Sequence, residues 1–390
     1  MKYLALDSLI EKPISGEWGT GDGDINVIRS ANFTNHGRIN FDKIVARNIP
    51  DDKVRTKKLQ EEDIIIEKSG GSPTQPVGRV VFFDKKGTYL CSNFTSILRP
   101  LKQYVAPKYL HYILFCNHKF GFVEKYQNKT TGIINLQLPK YLKNTKIPLP
   151  PLAEQQKIAS ILDAADSLRQ KDQQLIEKYT ALSQSLFLEM FGDPVTNPMG
   201  WKMGTSIQYC KCIVPGRDKP KNFSGEIPWV TTNDLNRLTY TDKSKKDIGL
   251  TDEEIVEVRA KIIPVNSVIL TCVGDLGVIS INSSPVVINQ QLHSFQCDYI
   301  NISPIFMMYV LSYQTPYMYK MASSTTVPYM NKTVCNNIPM IYPPITLQTQ
   351  FAERIQSIEA QKQQAQANLE KSEALFNSLL QRAFKGELTV

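Results

Sequence analysis

Two stretches of this chain, IPLPPLAEQQKIASILDAAD (Ile147–Asp166) and IPMIYPPITLQTQFAERIQSIEA (Ile338–Ala360), state the same plan twice: a Pro-Pro pair, a glutamine-bearing turn, and a long amphipathic run. Proline at the first turn of a helix gives up an N–H that would have no intrahelical partner, so each copy reads as a helix beginning at or just past its Pro-Pro pair. Gly192 and Gly386 stand where C-terminal helix stops belong. With Pro150-Pro151 laid on Pro343-Pro344, Ile158, Leu162, Ala165, Ile176, Leu186 and Met190 fall on Phe351, Ile355, Ile358, Leu369, Leu379 and Ala383. In the second copy the steps through 351, 355, 358, 362, 365, 369, 372, 376, 379 and 383 alternate four and three. That is a heptad seam, interrupted by Lys362 and Ser372, as Arg169, Asp172 and Ser183 interrupt the first. Each helix is expected to run about 38 residues, hence about 57 Å at ~1.5 Å per residue.

The duplication extends beyond the helices. INVIRSAN (Ile25–Asn32) matches IPWVTTND (Ile227–Asp234), and EEDIIIEKSGGS (Glu61–Ser72) matches PVNSVILTCVGD (Pro264–Asp275). CSNFTSILRP, APKYLHYILFC and TTGIIN follow in the same order as NQQLHSFQCD, SPIFMMYVLSY and TVPYMN. The chain therefore reads as globular unit 1–150, long helix 151–193, globular unit 194–342 and long helix 343–390. The fold class expected is α+β: two α/β domains joined by two long helices in an antiparallel coiled coil, an internal pseudo-twofold repeat in which the helices act as a ruler. A register centred on the middle of the helices would set Asp172 against Lys362 and Arg169 against Ala365, one polar layer fixing the alignment.

Charge and motifs narrow the function. Of a net +8, residues 1–150 supply 23 Lys+Arg against 14 Asp+Glu and residues 201–340 supply 13 against 11, whereas 151–200 carry 4 against 7. The excess lies in the globular units, where a polyanion partner is the natural reading. Seven cysteines, five of them isolated, fit reduced thiols and a cytoplasmic protein, and Cys210-x-Cys212 has no second pair at zinc spacing. The N-terminus breaks its apolar run at Asp7 and Glu11, unlike a signal peptide. No Walker loop, His-Glu-x-x-His or Ser-His-Asp cue occurs, YPPI (Tyr342–Ile345) is wrong at both ends for a base-holding tetrad, and the triplets Asp51-x-Lys53 and Asp84-x-Lys86 read as surface turns. GTGDGD (Gly19–Asp24) has glycines without a following helix signal. A catalytic site and a metal site are not expected.

PLPPLAEQQKIASILDAADSLRQ, LFLEMFGDP, GEIPWVTTNDL and YPPITLQTQFAERI together resemble the specificity subunits of Type I restriction-modification systems, across essentially the whole chain. One departure is Leu347, which stands where the motif has a glutamate beside Gln348. The resemblance implies a non-catalytic reader of double-stranded DNA with two target-recognition domains, each reading half of a split, asymmetric site. It also implies two methyltransferase subunits and two motor-nuclease subunits as partners, with S-adenosylmethionine, ATP and magnesium belonging to them and no cofactor in this chain. Phosphates call for cations and base edges for polar groups. On that ground the DNA-facing candidates in the first unit are Arg55, Lys57, Lys58, Lys68, Ser69, Gly70, Gly71, and Lys85 and Lys86 at an expected hairpin tip. In the second unit they are Arg217, Lys219, Lys221, Lys243, Lys245, Lys246, and Thr231, Thr232 and Asn233 on an expected strand. Ile158, Leu162, Ala165, Ile176, Leu186, Phe351, Ile355, Ile358, Leu369 and Leu379 are the seam and partner-facing candidates. The competing readings are the recognition part of a split or fused methyltransferase-nuclease, and a structural protein whose helices only oligomerise it.

Overall fold

The computed structural model describes residues 2–128, 133–216, 218–323, 326–385 and 387–388, so Gly386 lies outside the described residues. The two long helices are Leu152–Phe191, 40 residues, and Ile345–Lys385, 41 residues. Both open on their Pro-Pro pairs: the Glu154 N–H donates to the Pro151 carbonyl and the Leu347 N–H to the Pro344 carbonyl, at 2.9 and 3.0 Å. Gly192 ends the first with φ +72°, a conformation that suits glycine at a helix stop. What makes the motif specific is its glutamine. Gln155 is buried; its Oε1 accepts from the Ala106 N–H at 2.9 Å, and its Nε2 donates to the carbonyls of Pro150 at 2.9 Å and Tyr104 at 3.2 Å. Gln348 repeats this, accepting from Ser303 N–H at 3.0 Å and donating to the carbonyls of Pro343 at 2.8 Å and Asn301 at 3.4 Å. Ala106 and Ser303 are the residues before the helices Pro107–Lys119 and Pro304–Tyr313. Each glutamine thus stitches a long-helix start to the start of its domain's own helix.

The chain divides into two compact units, 1–172 with 368–390, and 173–367, so each long helix contributes to both. In the first unit, Ile158, Leu162 and Ala165 from the start of one helix share a core with Phe376, Leu380 and Ala383 from the end of the other, under Tyr109, Tyr112 and Phe115. In the second, Phe187 and Phe191 from the end of the first helix pack on Phe351 and Ile355 from the start of the second, beside Phe306 and Tyr309. Start meets end in each unit, so the helices run antiparallel. Every seam position expected in the second helix is buried or half-buried, Lys362 and Ser372 included. Leu369 is buried and Ile176, Leu186, Ile358 and Leu379 are half-buried.

The expected polar layer is corrected. Arg169 does not face Ala365; its guanidinium lies 5.8 Å over the Phe376 ring and pairs with Asp166 one turn earlier at 2.5 Å. Arg38, from the first domain, joins the same carboxylate at 2.5 Å. Lys362 pairs within its own helix with Glu359 at 3.7 Å. Burial works to raise the Asp166 carboxyl, but the two guanidiniums outweigh it and hold the group below its usual value.

The main sheets of the two domains repeat the same strand order. In the first unit Lys2–Ala5 pairs antiparallel with Lys146–Leu149, as Lys202–Thr205 pairs with Pro339–Tyr342 in the second. A four-stranded sheet, in order Ile14–Ser15, Thr95–Leu98, Ile64–Glu67 and Val80–Phe82, corresponds to Cys210–Ile213, Leu292–Cys297, Val268–Thr271 and Ile279–Asn282, where Tyr240–Thr241 adds a fifth. A smaller sheet holds Val45–Asn48, Thr20–Ile28 and Tyr89–Cys91, the last two parallel; its counterpart holds Gly249–Leu250, Ile227–Val230, Val286–Ile288 and Ile262–Ile263, again with one parallel pair. The continuous apolar runs now have a reason. Ile64 and Ile66 face the core shared with the helices while Ile65 faces a second core; Val268 and Leu270 divide from Ile269 in the same way. Alternation with both faces buried leaves no polar position. Lys85 and Lys86 are not at a hairpin tip: the strands before and after them belong to different sheets, so they sit on a crossover.

Two outcomes follow from these contacts. Gln155→Ala or Gln348→Ala should each lower stability by about 1–3 kcal/mol, because buried backbone groups lose their partners, while exposed Gln156→Ala should not; thermal melting of the full chain measures this. Asp166→Asn should cost about 3 kcal/mol at pH 7 by leaving the Arg169 charge buried. Because the folded carboxyl is depressed, that contribution is present above the unfolded value of about 4 and is lost as pH falls below it. The gap between wild type and variant in urea midpoints should therefore narrow on acidification.

Candidate DNA-recognition surfaces

In the first unit the helix Asp51–Lys57 ends in a basic turn, and the crossover 83–88 comes alongside it. Together they line a groove of about 470 Å³ with Arg55, Lys58, Lys85 and Lys86 on its walls. All four are exposed. Arg99 also reaches the groove, but its charge is bound to buried Asp63 at 2.8 Å. Lys85 lies 5.4 Å over the Phe41 ring. Gly87, at φ +124°, allows the turn that carries both lysines.

The other candidates of this unit are outside that groove. Lys57 turns inward to Glu17 at 2.7 Å and the Gly16 carbonyl at 3.3 Å. Its hydrogen bond to Glu17 holds that carboxyl below the usual range. Lys68 donates to the Ser15 hydroxyl at 2.5 Å, and burial lowers its ammonium. Ser69 bonds the Asn135 side chain, in a small sheet of Ser69–Gly71, Ile134–Leu136 and Gln127–Asn128. Gly70, at φ +91°, has open space at its Cβ position, and Gly71 packs on Val77.

In the second unit Lys219, Lys221, Lys243, Lys245 and Lys246 are exposed, and Arg217 lies outside the described residues. Lys243 borders a groove of about 330 Å³ with Gly225, Glu226 and Ser244. Lys245 is tied down, its ammonium to the Asn233 carbonyl at 2.5 Å and its N–H to Asp234 at 2.7 Å. The expectation for Thr231, Thr232 and Asn233 is corrected: the strand stops at Val230, and Thr232–Asp234 form a 3₁₀ turn. Thr231 gives both its N–H and its hydroxyl to Asp234, at 2.7 and 2.6 Å, so its polar groups hold the turn. Burial works to raise the Asp234 carboxyl, but the bonds from Thr231, Lys245 and Ser244 outweigh it and keep it low. The same turn stands in the first unit, where the Arg29 N–H donates to Asn32 Oδ1 at 2.9 Å before Ser30–Asn32.

Among the described residues there is no cluster of three His, Cys, Asp or Glu suited to a metal, and no helix is long and apolar enough to cross a membrane. Cys210 and Cys212 go separate ways: one sulfur lies 3.9 Å from Cys297 Sγ, the other 3.4 Å from His293 Nε2. Sequence reading favoured runs of lysine and passed over single arginines. Arg29 and Arg47 both approach the Trp18 ring, and only strand pairing brings these three distant positions together.

The sequence profile of the Type I restriction modification DNA specificity domain matches twice, at residues 15–178 and 211–371. Among similar proteins, the Type I restriction enzyme MjaVIII specificity subunit of Methanocaldococcus jannaschii is 26% identical over 337 residues, covering 79% of this chain and 75% of that protein. The StySPI specificity subunit of Salmonella potsdam is 23% identical over 410 residues, covering 94% and 83%. In structure, the S subunit of a Type I restriction-modification system from M. genitalium aligns over 98% of this chain and 96% of its own, with a TM-score of 0.64 at 15% identity, a likeness of fold. The two profile matches fall on the two repeats that the strands and helices define, and the chain belongs to the Type I restriction-modification specificity family.

Proposed function

We propose that this chain is the DNA-reading subunit of a Type I restriction-modification complex and carries no chemistry of its own. Each globular unit reads one half of a bipartite, asymmetric sequence in double-stranded DNA. Methyltransferase subunits, two by the family pattern, bring S-adenosylmethionine and methylate adenines at the site; two motor-nuclease subunits bring ATP and magnesium and cut. The chain works in the cytoplasm, in keeping with its free thiols. The observation that carries this reading is a duplicated frame, matched twice by the specificity-domain profile, with a charged groove in each unit of different lining: Arg55, Lys58, Lys85 and Lys86 in the first, and Lys243 with Gly225, Glu226 and Ser244 in the second. A single frame offering two different rims is what an asymmetric bipartite site requires.

The direct test is methylome sequencing of a strain given this gene with its partner methyltransferase gene. A split, asymmetric adenine-methylated motif is expected, and no new motif would sink the proposal. With the purified complex, log affinity should fall steeply against log salt, because phosphate neutralisation releases counterions. Replacing Arg55, Lys58, Lys85 and Lys86 by alanine should flatten that slope by about 0.9 for each phosphate left without its cation. The methylated motif should stay the same, since phosphate contacts carry no sequence information. An unaltered slope would mean that this groove does not face the duplex.

A further inference from the structure

Trp18, Arg29 and Arg47 form a cationic cluster at the edge of the small sheet in the first unit. Arg47 stands on Val45–Asn48, opposite Ile25 of Thr20–Ile28, and its guanidinium carbon lies 4.4 Å from the Trp18 ring centroid. Arg29, at the end of Thr20–Ile28, places its own at 6.0 Å. Both arginines are half-buried, and Nε of each is fully covered with no hydrogen-bond partner among the described residues. The Arg29 guanidinium donates to the Lys43 carbonyl at 3.3 Å. Among the described residues neither takes part in an ion pair.

That is unusual company for two arginines. Half-buried cations normally sit against carboxylates, as Arg79 does with Glu67 and Arg99 with Asp63 elsewhere in the same unit. Here the indole takes the place of the carboxylate: it attracts the charge without neutralising it or occupying its donors. Beside the cluster the strand pairing jumps from Thr20↔Asn48 to Ile25↔Arg47, so residues 21–24 form an exposed excursion of glycines and aspartates. Gly23 lies so close to the Arg47 backbone that a Cβ would come within 2.4 Å of it. GTGDGD, unexplained as a sequence motif, is thus the device that lets the excursion pass tight against the Arg47 backbone.

The second unit has the same frame with a different filling. Ile227 pairs with Leu250 as Ile25 pairs with Arg47, so Leu250, fully buried, stands where Arg47 does. Around it Phe223 and Trp229 meet at 6.0 Å in an apolar cluster. Two repeats that differ in this way at one framework position differ there in what they can bind.

We propose that the Trp18–Arg29–Arg47 cluster is a base-reading site of the first unit, with the Arg47 guanidinium, held over the indole, directed to a guanine edge in that unit's half-site. This rests on the DNA-reading function proposed above. A phosphate requires only a point charge, which the exposed lysines supply. The paired O6 and N7 acceptors of guanine require two parallel N–H donors in one plane, which a guanidinium supplies and an ammonium does not.

The test uses the chain in complex with its methyltransferase partner, on plasmid libraries randomised across the methylated motif. Arg47→Gln should reduce guanine discrimination at one position of one half-site by roughly 5- to 150-fold, leaving the other half-site unchanged. Arg47→Lys keeps the stem and charge and should relax the same position, because an ammonium cannot make the forked contact. Arg29→Gln should act on the same half-site. If Arg47→Gln weakens every sequence alike and the motif stands, the contact is to phosphate and base reading is overturned. If both Arg47 variants keep motif and affinity and only melt earlier, the cluster is structural and the proposal falls. A wild-type complex with no sequence preference would instead overturn the DNA-reading function itself.

Discussion

The larger core of each recognition domain is completed by the long helices. Tyr112 and Phe115 of the first domain rest on Phe376 of the second long helix, and Phe306 and Tyr309 of the second rest on Phe187 of the first helix and, for Tyr309, on Phe351 of the second. Each domain thus packs on residues from the start of one helix and the end of the other. A helical residue at such a point answers to two neighbours, the opposite helix and the domain. This explains why the seam is richer in aromatics at its ends than a plain coiled coil. Phe187 and Phe191 fill space between three elements, and truncating a large buried aromatic typically costs about 3–5 kcal/mol. The coupling also means that a domain's orientation on the helices is fixed by packing and not by a linker.

The interior of the two repeats is shared and the rim is not. Strand pairings, the parallel pair in the small sheet, the glutamine stitch and the 3₁₀ turn with its side-chain cap occur in both. The cap in the first unit is closed by Asn32 and in the second by Asp234, which does the same work with a charge. At the rim, Arg55 and Lys58 line a groove with Lys85 and Lys86 in the first unit, whereas Lys243 lines one with Gly225, Glu226 and Ser244 in the second. Packing constrains a duplicated interior against drift, because a change of a single methylene is felt in a close-packed core. A solvated rim carries no such constraint and is free to take up new readout chemistry.

How much of this the sequence disclosed depends on whether the signal was local. The helix starts, the heptad positions and the order of the strands were legible, since proline, period and repeat act within a few residues. Helix register was not: a heptad pattern is nearly unchanged by sliding one helix past the other, so Arg169 was set against Ala365 when the domain packing puts Phe376 there. Runs of lysine stood out, and four cations of two such runs do meet in one groove, but Lys57, in the first of those runs, and Lys68 are turned to Glu17 and Ser15. Thr231, expected on a strand, stands instead at the cap of a 3₁₀ turn, its hydroxyl bonded to Asp234. Arg29, Arg47 and Trp18 gave no signal at all, because their meeting is made by strand register, which composition does not encode.

Leu347 settles which part of the repeated motif the fold requires. The first copy has Glu154 before its glutamine, where a carboxylate in the opening turn gains about 0.3–1 kcal/mol from the helix dipole. The second copy replaces it with a leucine, half-buried against its domain's core, and the helix begins at the same point beyond its prolines. An apolar contact offsets the missing charge, so the exchange is close to neutral. No such exchange is open to Gln155 or Gln348. Each must accept from one backbone N–H and donate to two carbonyls in a site closed to water. A glutamate there would lack the donors, and a leucine would lack both, leaving the N–H before the domain helix buried and unpaired. The requirement comes from the joint between helix and domain, and it recurs because the joint is built twice.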